Sequence, residues 1–226
     1  MQVTAHAGGA GPWPSNSAQA FLAADALRVD RIEFDVMEYQ DQLMVAHDPH
    51  AASEPGCLTL AQALEILAPL SPALTCDIKT FGREAEIYQT MKDAGAIEGT
   101  IFCGHSLQSL TAFRSLGEDL LLGWSVPQPD GTPGQIVPWP PELAIKEGWH
   151  DRLITEAPDI LSAYKLNGLM CQHSLISQEL VDALHDSGFF LHAWTVDDTR
   201  EVKRLQGLGV DGVTSNHPEA TLKALG

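Results

Sequence analysis

The chain has 226 residues, of which 44% are hydrophobic and 19% charged, and its formal net charge is −17. Length and composition suit one well-packed domain and exclude an intrinsically disordered chain. The negative charge makes nucleic acid and anionic membrane surfaces poor partners, so we expect no nucleic-acid binding and no stable membrane association.

The start of the chain and its cysteines indicate a compartment. Residues 1–6 lack the basic and apolar regions of a secretory signal, and no apolar run reaches the roughly 18 residues that span a bilayer. The four cysteines form no Cys-x-x-Cys pair, and Cys76, Cys103 and Cys171 lie in apolar runs. Such cysteines are typical of buried thiols in a reducing compartment. We therefore predict a soluble, cytoplasmic protein.

Strands and helices alternate along the chain. The first strand is predicted at 3–5, and the first helix, capped within 15–17, runs to about Leu27 with an apolar face of Ala18, Phe21, Leu22 and Ala26. Further strands are predicted at 31–36, 73–79, 100–103, 120–124, 168–171, 189–193 and 210–213, with an additional extended piece at 43–46. Helices are predicted at 59–67, 83–94, 107–116, 153–164, 177–186 and 199–208, with a short one at the end.

Eight strand–helix units without a linker predict an α/β fold, a single (β/α)8 TIM barrel over residues 1–226. The alternative is a doubly wound open sheet, but the chain lacks the Gly-x-Gly-x-x-Gly turn that such a sheet carries after its first strand.

The predicted strand at 31–36 has an acidic face. Glu33 and Asp35 are two residues apart, so their side chains project to the same side of the strand. Two carboxylates on one face repel each other and are costly to desolvate, and a bound cation would remove both penalties. The alternative is an edge strand whose acidic face is solvated.

Polar residues collect at the predicted strand ends, where a TIM barrel has its active site. They are His6, Glu33, Asp35, His47, Asp77, Lys79, His105, His173, Trp194 and Asn216. After the fifth strand, a Pro-, Gly- and Trp-rich segment at about 125–151 is too long for a simple connection. The segment is either a wall or lid of the substrate site or an extended surface loop without a role in the site.

Several motifs, in order from about residue 3 to 218, resemble the glycerophosphodiester phosphodiesterase family of phospholipase C-like barrels. They are His6, Pro14-Ser15-Asn16-Ser17-Ala18 to Phe21, Ile32-Glu33-Phe34-Asp35-Val36, Val45-Ala46-His47-Asp48, Asp77-Ile78-Lys79, Trp194-Thr195-Val196-Asp197 and Asp211-Gly212-Val213-Thr214-Ser215-Asn216-His217-Pro218. The resemblance implies a (β/α)8 barrel that hydrolyses a small-molecule phosphodiester with one bound divalent cation.

The resemblance also implies residue roles. Glu33, Asp35 and Asp77 fall on the family's metal ligands, and His6 and His47 on its general acid/base pair. An oxygen-only ligand set suits Mg²⁺ or Ca²⁺ rather than zinc. The candidates for substrate contact are Lys79, which falls on a phosphate-contacting lysine, together with Trp194, Asn16 and His105.

The chain departs from the family pattern around the phosphate. Ala7 stands where the family usually has a phosphate-binding arginine, Ser15 where it has a glutamate, and Asn216 where it has an aspartate. Asp77 is one methylene shorter than the commoner glutamate. Alanine cannot replace the bidentate fork of arginine. We expect either weaker substrate binding or a substrate held through its alcohol groups. His105 or the 125–151 segment is a candidate for a substitute contact with the phosphate.

The leading hypothesis is a metal-dependent phosphodiesterase that converts glycerophosphodiesters into an alcohol and glycerol phosphate by His/His acid–base catalysis. One alternative is a lysophospholipase D or sphingomyelinase D-like enzyme with an apolar groove. The other is a catalytically impaired barrel that serves as a binding protein, which the alanine at position 7 would favour.

Overall fold

The computed structural model describes residues 1–9, 11–126 and 149–226. These residues form nine strands, numbered in chain order: β1 (Gln2–Ala5), β2 (Arg31–Tyr39), β3 (Gln42–Met44), β4 (Ala73–Ile78), β5 (Ile101–Gly104), β6 (Leu121–Val126), β7 (Gly168–Gln172), β8 (Phe190–Trp194) and β9 (Gly212–Ser215). They also form nine α-helices: α1 (Ala18–Ala26), α2 (Pro49–Ser53), α3 (Leu60–Leu67), α4 (Glu84–Asp93), α5 (Leu107–Leu116), α6 (Trp149–Ala163), α7 (Gln178–Asp186), α8 (Thr199–Leu208) and α9 (Pro218–Leu225).

Eight of the strands run parallel and close into a barrel. Their order is β1-β2-β4-β5-β6-β7-β8-β9, and β9 pairs with β1 to complete the circle. The predicted (β/α)8 TIM barrel is confirmed. The doubly wound open sheet is wrong, because an open sheet does not pair its first strand with its last. No helix within the described ranges is long and apolar enough to cross a bilayer.

The two faces of the barrel strands differ in polarity. Side chains such as Ile32, Phe34 and Val36 join the large core between the sheet and the helices. The alternate positions point into the barrel, since successive residues of a strand face opposite sides. Many of these inward positions carry buried polar side chains: Thr4, Arg31, Glu33, Asp35, Thr75, Ser125, Gln172, His192 and Thr214.

The acidic strand is not at an edge. β2 pairs with β1 on one side and with β4 on the other. Glu33 is 4% exposed and Asp35 1% exposed. The edge-strand alternative is therefore wrong, and both carboxylates lie inside the barrel.

β2 extends beyond the barrel rim into a hairpin with β3. Its two turn residues, Gln40 and Asp41, both have positive φ (48° and 63°), as a tight two-residue hairpin requires. Met44 pairs with Met37, so the chain returns towards the barrel mouth before it reaches His47. The predicted extended piece at 43–46 is the return strand of this hairpin.

The buried face of the first helix shares only Phe21 with the face that we predicted. Leu22 is 52% exposed and Ala26 is also exposed; the buried residues are Ala20, Phe21 and Ala24. A Cβ on Gly8 would lie 2.7 Å from the Cβ of Ala20. The turn after β1 therefore packs directly on α1, and this close approach requires a glycine at position 8.

The predicted wall or lid at about 125–151 falls almost entirely outside the described residues. β6 runs to Val126 and α6 begins at Trp149. The role of the segment, and the extension of a single domain over residues 1–226, stay predictions.

His192 is a buried imidazole on β8. Its Nδ1 has no hydrogen-bond partner in the described parts of the chain. A Cβ on Gly212 would lie 2.7 Å from the His192 ring, so the glycine leaves room for it. Burial, with a smaller contribution from Arg31, lowers the pKa of His192 to about 4. The ring is therefore neutral in the folded protein at neutral pH.

This buried histidine predicts acid sensitivity. The unfolded chain takes up a proton at His192 near pH 6.5, whereas the folded protein resists until about pH 4, so stability is lost as the pH falls through that window. Urea unfolding at pH 7.5 and pH 5 measures the free energy of unfolding. Between these pH values, the free energy of unfolding should fall by about 2 kcal/mol more in the wild type than in His192→Gln. Equal losses in the two proteins would contradict the assignment.

Candidate active site

Strand register brings three carboxylates together. Glu33 and Asp35 are two residues apart on β2, and Asp35 lies opposite Asp77 of β4. One carboxylate oxygen of each residue lies within 4.8 Å of those of the other two. This cluster, the carboxylate triad, lies towards the C-terminal ends of the barrel strands, where TIM barrels have their active sites.

Burial makes the triad electrostatically costly. It raises the pKa of Glu33 well above the usual value, and the neighbouring carboxylates of Asp35 and Asp77 raise it further. A carboxyl in this position favours its neutral form unless a positive charge is added. A divalent cation is such a charge, and its binding would release the proton.

Lys79 supplies part of the compensation. Its Nζ lies 2.7 Å from Asp77 Oδ2 and 3.2 Å from Asp35 Oδ1. These two carboxylates raise the pKa of Lys79 despite the opposing effect of burial. Burial likewise opposes the ionisation of Asp77, but Lys79 holds the pKa of Asp77 below its usual value. The three carboxyl groups of the triad therefore share one charged ammonium, that of Lys79.

Two residues near the start of the chain hold the triad in place. The backbone N–H of Ala7 donates to Glu33 Oε2 at 2.6 Å. Asn16 donates from Nδ2 to Asp35 Oδ2 at 2.8 Å, and its Oδ1 accepts from the Asp35 N–H at 3.2 Å. Asn16, predicted to contact the substrate, is therefore placed against Asp35.

The donor set suits a hard cation. Asp35 Oδ1 and Asp77 Oδ1 are buried and accept no hydrogen bond from the described residues, although Lys79 Nζ lies close to the first of them. Buried carboxylate oxygens are normally satisfied. Carboxylate oxygens are the ligands that Mg²⁺ and Ca²⁺ prefer, so Glu33, Asp35 and Asp77 fit the predicted cation.

His6 is oriented by a hydrogen-bonded chain. Its Nδ1 lies 2.7 Å from Asn216 Oδ1. Asn216 in turn donates to Asp197, from Nδ2 at 2.9 Å and from the backbone N–H at 2.8 Å. Because the amide nitrogen faces the carboxylate, the amide oxygen faces His6, and Nδ1 must carry the shared proton. This leaves His6 Nε2 for proton transfer.

His47 follows the β2–β3 hairpin and its side chain is 53% exposed. Burial opposes the ionisation of Asp77, and Lys79 and His105 are the main residues that lower its pKa. His47 is close enough to the triad to lower the pKa of Asp77 further. The fold therefore brings both predicted acid/base histidines to the C-terminal end of the barrel.

His105 and Trp194 occupy the same end. His105 is largely buried, and its Nδ1 lies 2.7 Å from the carbonyl oxygen of Ser125. Nδ1 must therefore donate, and burial lowers the pKa of His105. A neutral His105 would offer a lone pair at Nε2, so it is a poor replacement for the charge of the family's arginine. Trp194 packs on the inward-facing cluster that includes Cys103 and Met170.

Two features escaped the sequence analysis. Asp197 lies within one of the motifs, but the sequence does not predict its role. Its hydrogen bonds with Asn216 show that it orients the residue that contacts His6. The other, Gln172, is a buried amide at the end of β7; its inward position could have been read from the alternation of that strand. His173, noted among the strand-end residues, instead pairs with Glu201 of α8 at 2.9 Å.

Known proteins with similar sequences or folds match nearly the whole chain. The family model described as "Glycerophosphoryl diester phosphodiesterase family" matches residues 141–220. A Caldanaerobacter subterraneus subsp. tengcongensis protein named glycerophosphodiester phosphodiesterase is 23% identical over 256 residues, covering 97% of this chain and 96% of that protein.

Two solved structures show the same barrel. An Oleispira antarctica phosphodiesterase in complex with the product sn-glycerol-3-phosphate superposes with a TM-score of 0.75 at 19% identity, covering 100% of this chain and 96% of that one. A glycerophosphodiester phosphodiesterase from Parabacteroides distasonis superposes with a TM-score of 0.76 at 20% identity, covering 99% and 96%.

The fold and the triad define a TIM-barrel protein with an acidic centre at the C-terminal ends of its strands. With the ordered motifs, the family model and the near full-length relatives, they identify the class more closely. The family model, the near full-length relatives and the solved structures all support the glycerophosphodiester phosphodiesterase family, a family of phosphoric diester hydrolases, as the family that this chain resembles.

The triad predicts stabilisation by divalent cations. Mg²⁺ or Ca²⁺ at a hundred times its dissociation constant should raise the unfolding free energy by about 2.7 kcal/mol, seen as a higher melting temperature. The shift should weaken at lower pH, because Glu33 must lose its proton to bind the ion. Asp77→Asn should abolish it, whereas Asp186→Asn, an exposed change on α7, should not. A full shift in Asp77→Asn would contradict the site.

Proposed function

We propose that the protein hydrolyses glycerophosphodiesters to an alcohol and glycerol phosphate, using a divalent cation held by Glu33, Asp35 and Asp77. The observation that carries the proposal is the triad, two of whose buried oxygens accept no hydrogen bond from the described residues, at the same end of the barrel as His6 and His47. The activity named for the relatives supports the same reaction.

Charge is the first requirement of the reaction. When bound, the cation offsets the charge of the phosphate and of the oxyanion that develops on it. Lys79 adds a second positive charge at the same place. When its ammonium moves away from the carboxylates, it can contact the phosphate. These charges gain importance in this chain because Ala7 offers only its backbone N–H, which is already bound to Glu33.

Proton transfer is the second requirement. His6, with its proton fixed on Nδ1 by Asn216, presents Nε2 either as a base for the nucleophile or, once protonated, as an acid for the leaving alkoxide. His47 takes the complementary role. The nucleophile is a water molecule or a neighbouring hydroxyl of the substrate. Such positioned groups typically contribute about 10²–10⁴-fold each.

Asp197 acts through Asn216 in this scheme. The hydrogen bonds from Asn216 hold the pKa of Asp197 below its usual value, against the effect of burial. Asp197 therefore stays a charged acceptor and fixes the direction in which the Asn216 amide points. Asn216 and Asp197 are positioning residues for His6.

The proposal is tested by hydrolysis of a panel of glycerophosphodiesters, a lysophospholipid and one aryl phosphodiester, with Mg²⁺, Ca²⁺ or EDTA. We expect turnover of a glycerophosphodiester that EDTA abolishes. His47→Ala should lower kcat/KM by about 10²–10⁴-fold. His50→Ala, an exposed histidine three residues further on, should leave it unchanged.

Each other result has a specific meaning. Turnover restricted to lysophospholipids would favour the lysophospholipase D or sphingomyelinase D-like alternative. Cation binding without any turnover would favour the binding-protein alternative. Turnover that resists EDTA would contradict the role of the triad. Location in the cytoplasm is a separate prediction, which cell fractionation tests.

The positioning of His6 gives a further prediction. Asn216→Ala should lower kcat/KM for the glycerophosphodiester by about 10–100-fold, as is usual when the residue that orients a functional histidine is removed. The pH–rate profile should also shift, because His6 loses the partner that fixes its proton on Nδ1. Asp198→Asn, a change at the neighbouring exposed carboxylate, is the control. An unchanged pH profile in Asn216→Ala would show that the residue does not act through His6.

A further inference from the structure

Gln172, the last residue of β7, has an unusual combination of burial and free hydrogen-bonding capacity. It is only 8% exposed. Its Oε1 accepts from the backbone N–H of Ser174 at 2.8 Å and also from the Ser174 hydroxyl. Two donors on the same oxygen fix which end of the amide is which. Nε2, with its two N–H groups, has no partner within the described residues.

The fold directs this amide into the barrel mouth. Met170, two residues earlier on β7, belongs to the inward-facing cluster with Ile101 and Cys103. Residues two apart share a face of a strand, so Gln172 faces inward as well, one level closer to the C-terminal end.

A second free donor lies beside it. Gln172 is paired in register with Trp194, the last residue of β8. Trp194 Nε1 is buried and has no hydrogen-bond partner in the described ranges. An unsatisfied buried donor is costly and uncommon in folded proteins. Two adjacent strand ends therefore present N–H groups that lack an acceptor.

This donor pair lies on the far side of the mouth from the carboxylates. β7 is four strands away from β2 in either direction around the barrel, which places Gln172 opposite Glu33 and Asp35. A substrate with its phosphate at the triad would meet this donor pair if its remaining atoms extended across the mouth towards β7 and β8. The donors are neutral, so they suit an uncharged acceptor such as a hydroxyl oxygen.

We infer that Gln172, together with the indole N–H of Trp194, binds a hydroxyl oxygen of the glycerol part of the substrate and so selects glycerophosphodiesters over diesters that lack hydroxyls. The inference rests on the proposed function and deepens it, since it names the residue that recognises the glycerol part of the substrate. The contact from Gln172 also adds to substrate binding in a chain that has Ala7 in place of the family's phosphate-binding arginine.

The test is a selectivity ratio: kcat/KM for glycerophosphoethanolamine divided by kcat/KM for bis(4-nitrophenyl) phosphate, which has no hydroxyl. A ratio is insensitive to the fraction of folded enzyme. Gln172→Met keeps the length of the side chain but removes both donors, and Gln172→Glu keeps an acceptor for Ser174 while lacking the N–H groups. Gln206→Met and Gln206→Glu are matched controls at an exposed glutamine near the end of α8.

Both Gln172 variants should lower the ratio about 10–100-fold, mainly through a higher KM for glycerophosphoethanolamine, because the contact is present before and during the reaction. The Gln206 variants should stay within about twofold of the wild type. A ratio within twofold of the wild type in the Gln172 variants would overturn the inference and leave the proposed function intact. A wild type that does not hydrolyse glycerophosphoethanolamine or any other glycerophosphodiester would refute the proposed function and this inference with it.

Discussion

The burial of three carboxylates inside one end of the barrel is the constraint on which the rest of the site depends. Glu33, Asp35 and Asp77 are brought together by strand register, and their repulsion is strong because little water screens it. One ammonium, one backbone N–H and one carboxamide offset the repulsion only in part. A divalent cation would complete the compensation, and the resulting positive centre is what a phosphodiester needs.

The same alternation of side chains that buries the carboxylates organises the opposite half of the mouth. β7 and β8 end in Gln172 and Trp194, whose side-chain N–H groups have no acceptor among the described residues. On β2 and β4, Asp35 Oδ1 and Asp77 Oδ1 accept no hydrogen bond within the same residues. The mouth is therefore divided into an anionic side and a donor side. With a divalent cation bound at the triad, a molecule with a phosphate at one end and hydroxyls at the other would suit both sides.

The fold and two members of the triad, Glu33 and Asp35, could be predicted because they follow from patterns of short period, whereas Asp77 is assigned to the metal site only by the family resemblance. Glu33 and Asp35 alternate with apolar residues, and the strand–helix rhythm orders the motifs around the barrel. Features that depend on packing between distant segments could not. The buried face of α1 follows from the approach of Gly8 to Ala20. The role of Asp197 depends on a hydrogen bond from Asn216 that joins the segments following β8 and β9. Neither contact has a signature in local sequence.

The most direct test of the central claim is crystallography of the protein with Mn²⁺ as an anomalous probe for the divalent cation. The account predicts one anomalous peak coordinated by carboxylate oxygens of Glu33, Asp35 and Asp77, with Lys79 shifted away from at least one of them. No peak at the triad, or a peak held by other residues with the Lys79 ammonium still between Asp35 and Asp77, would contradict it.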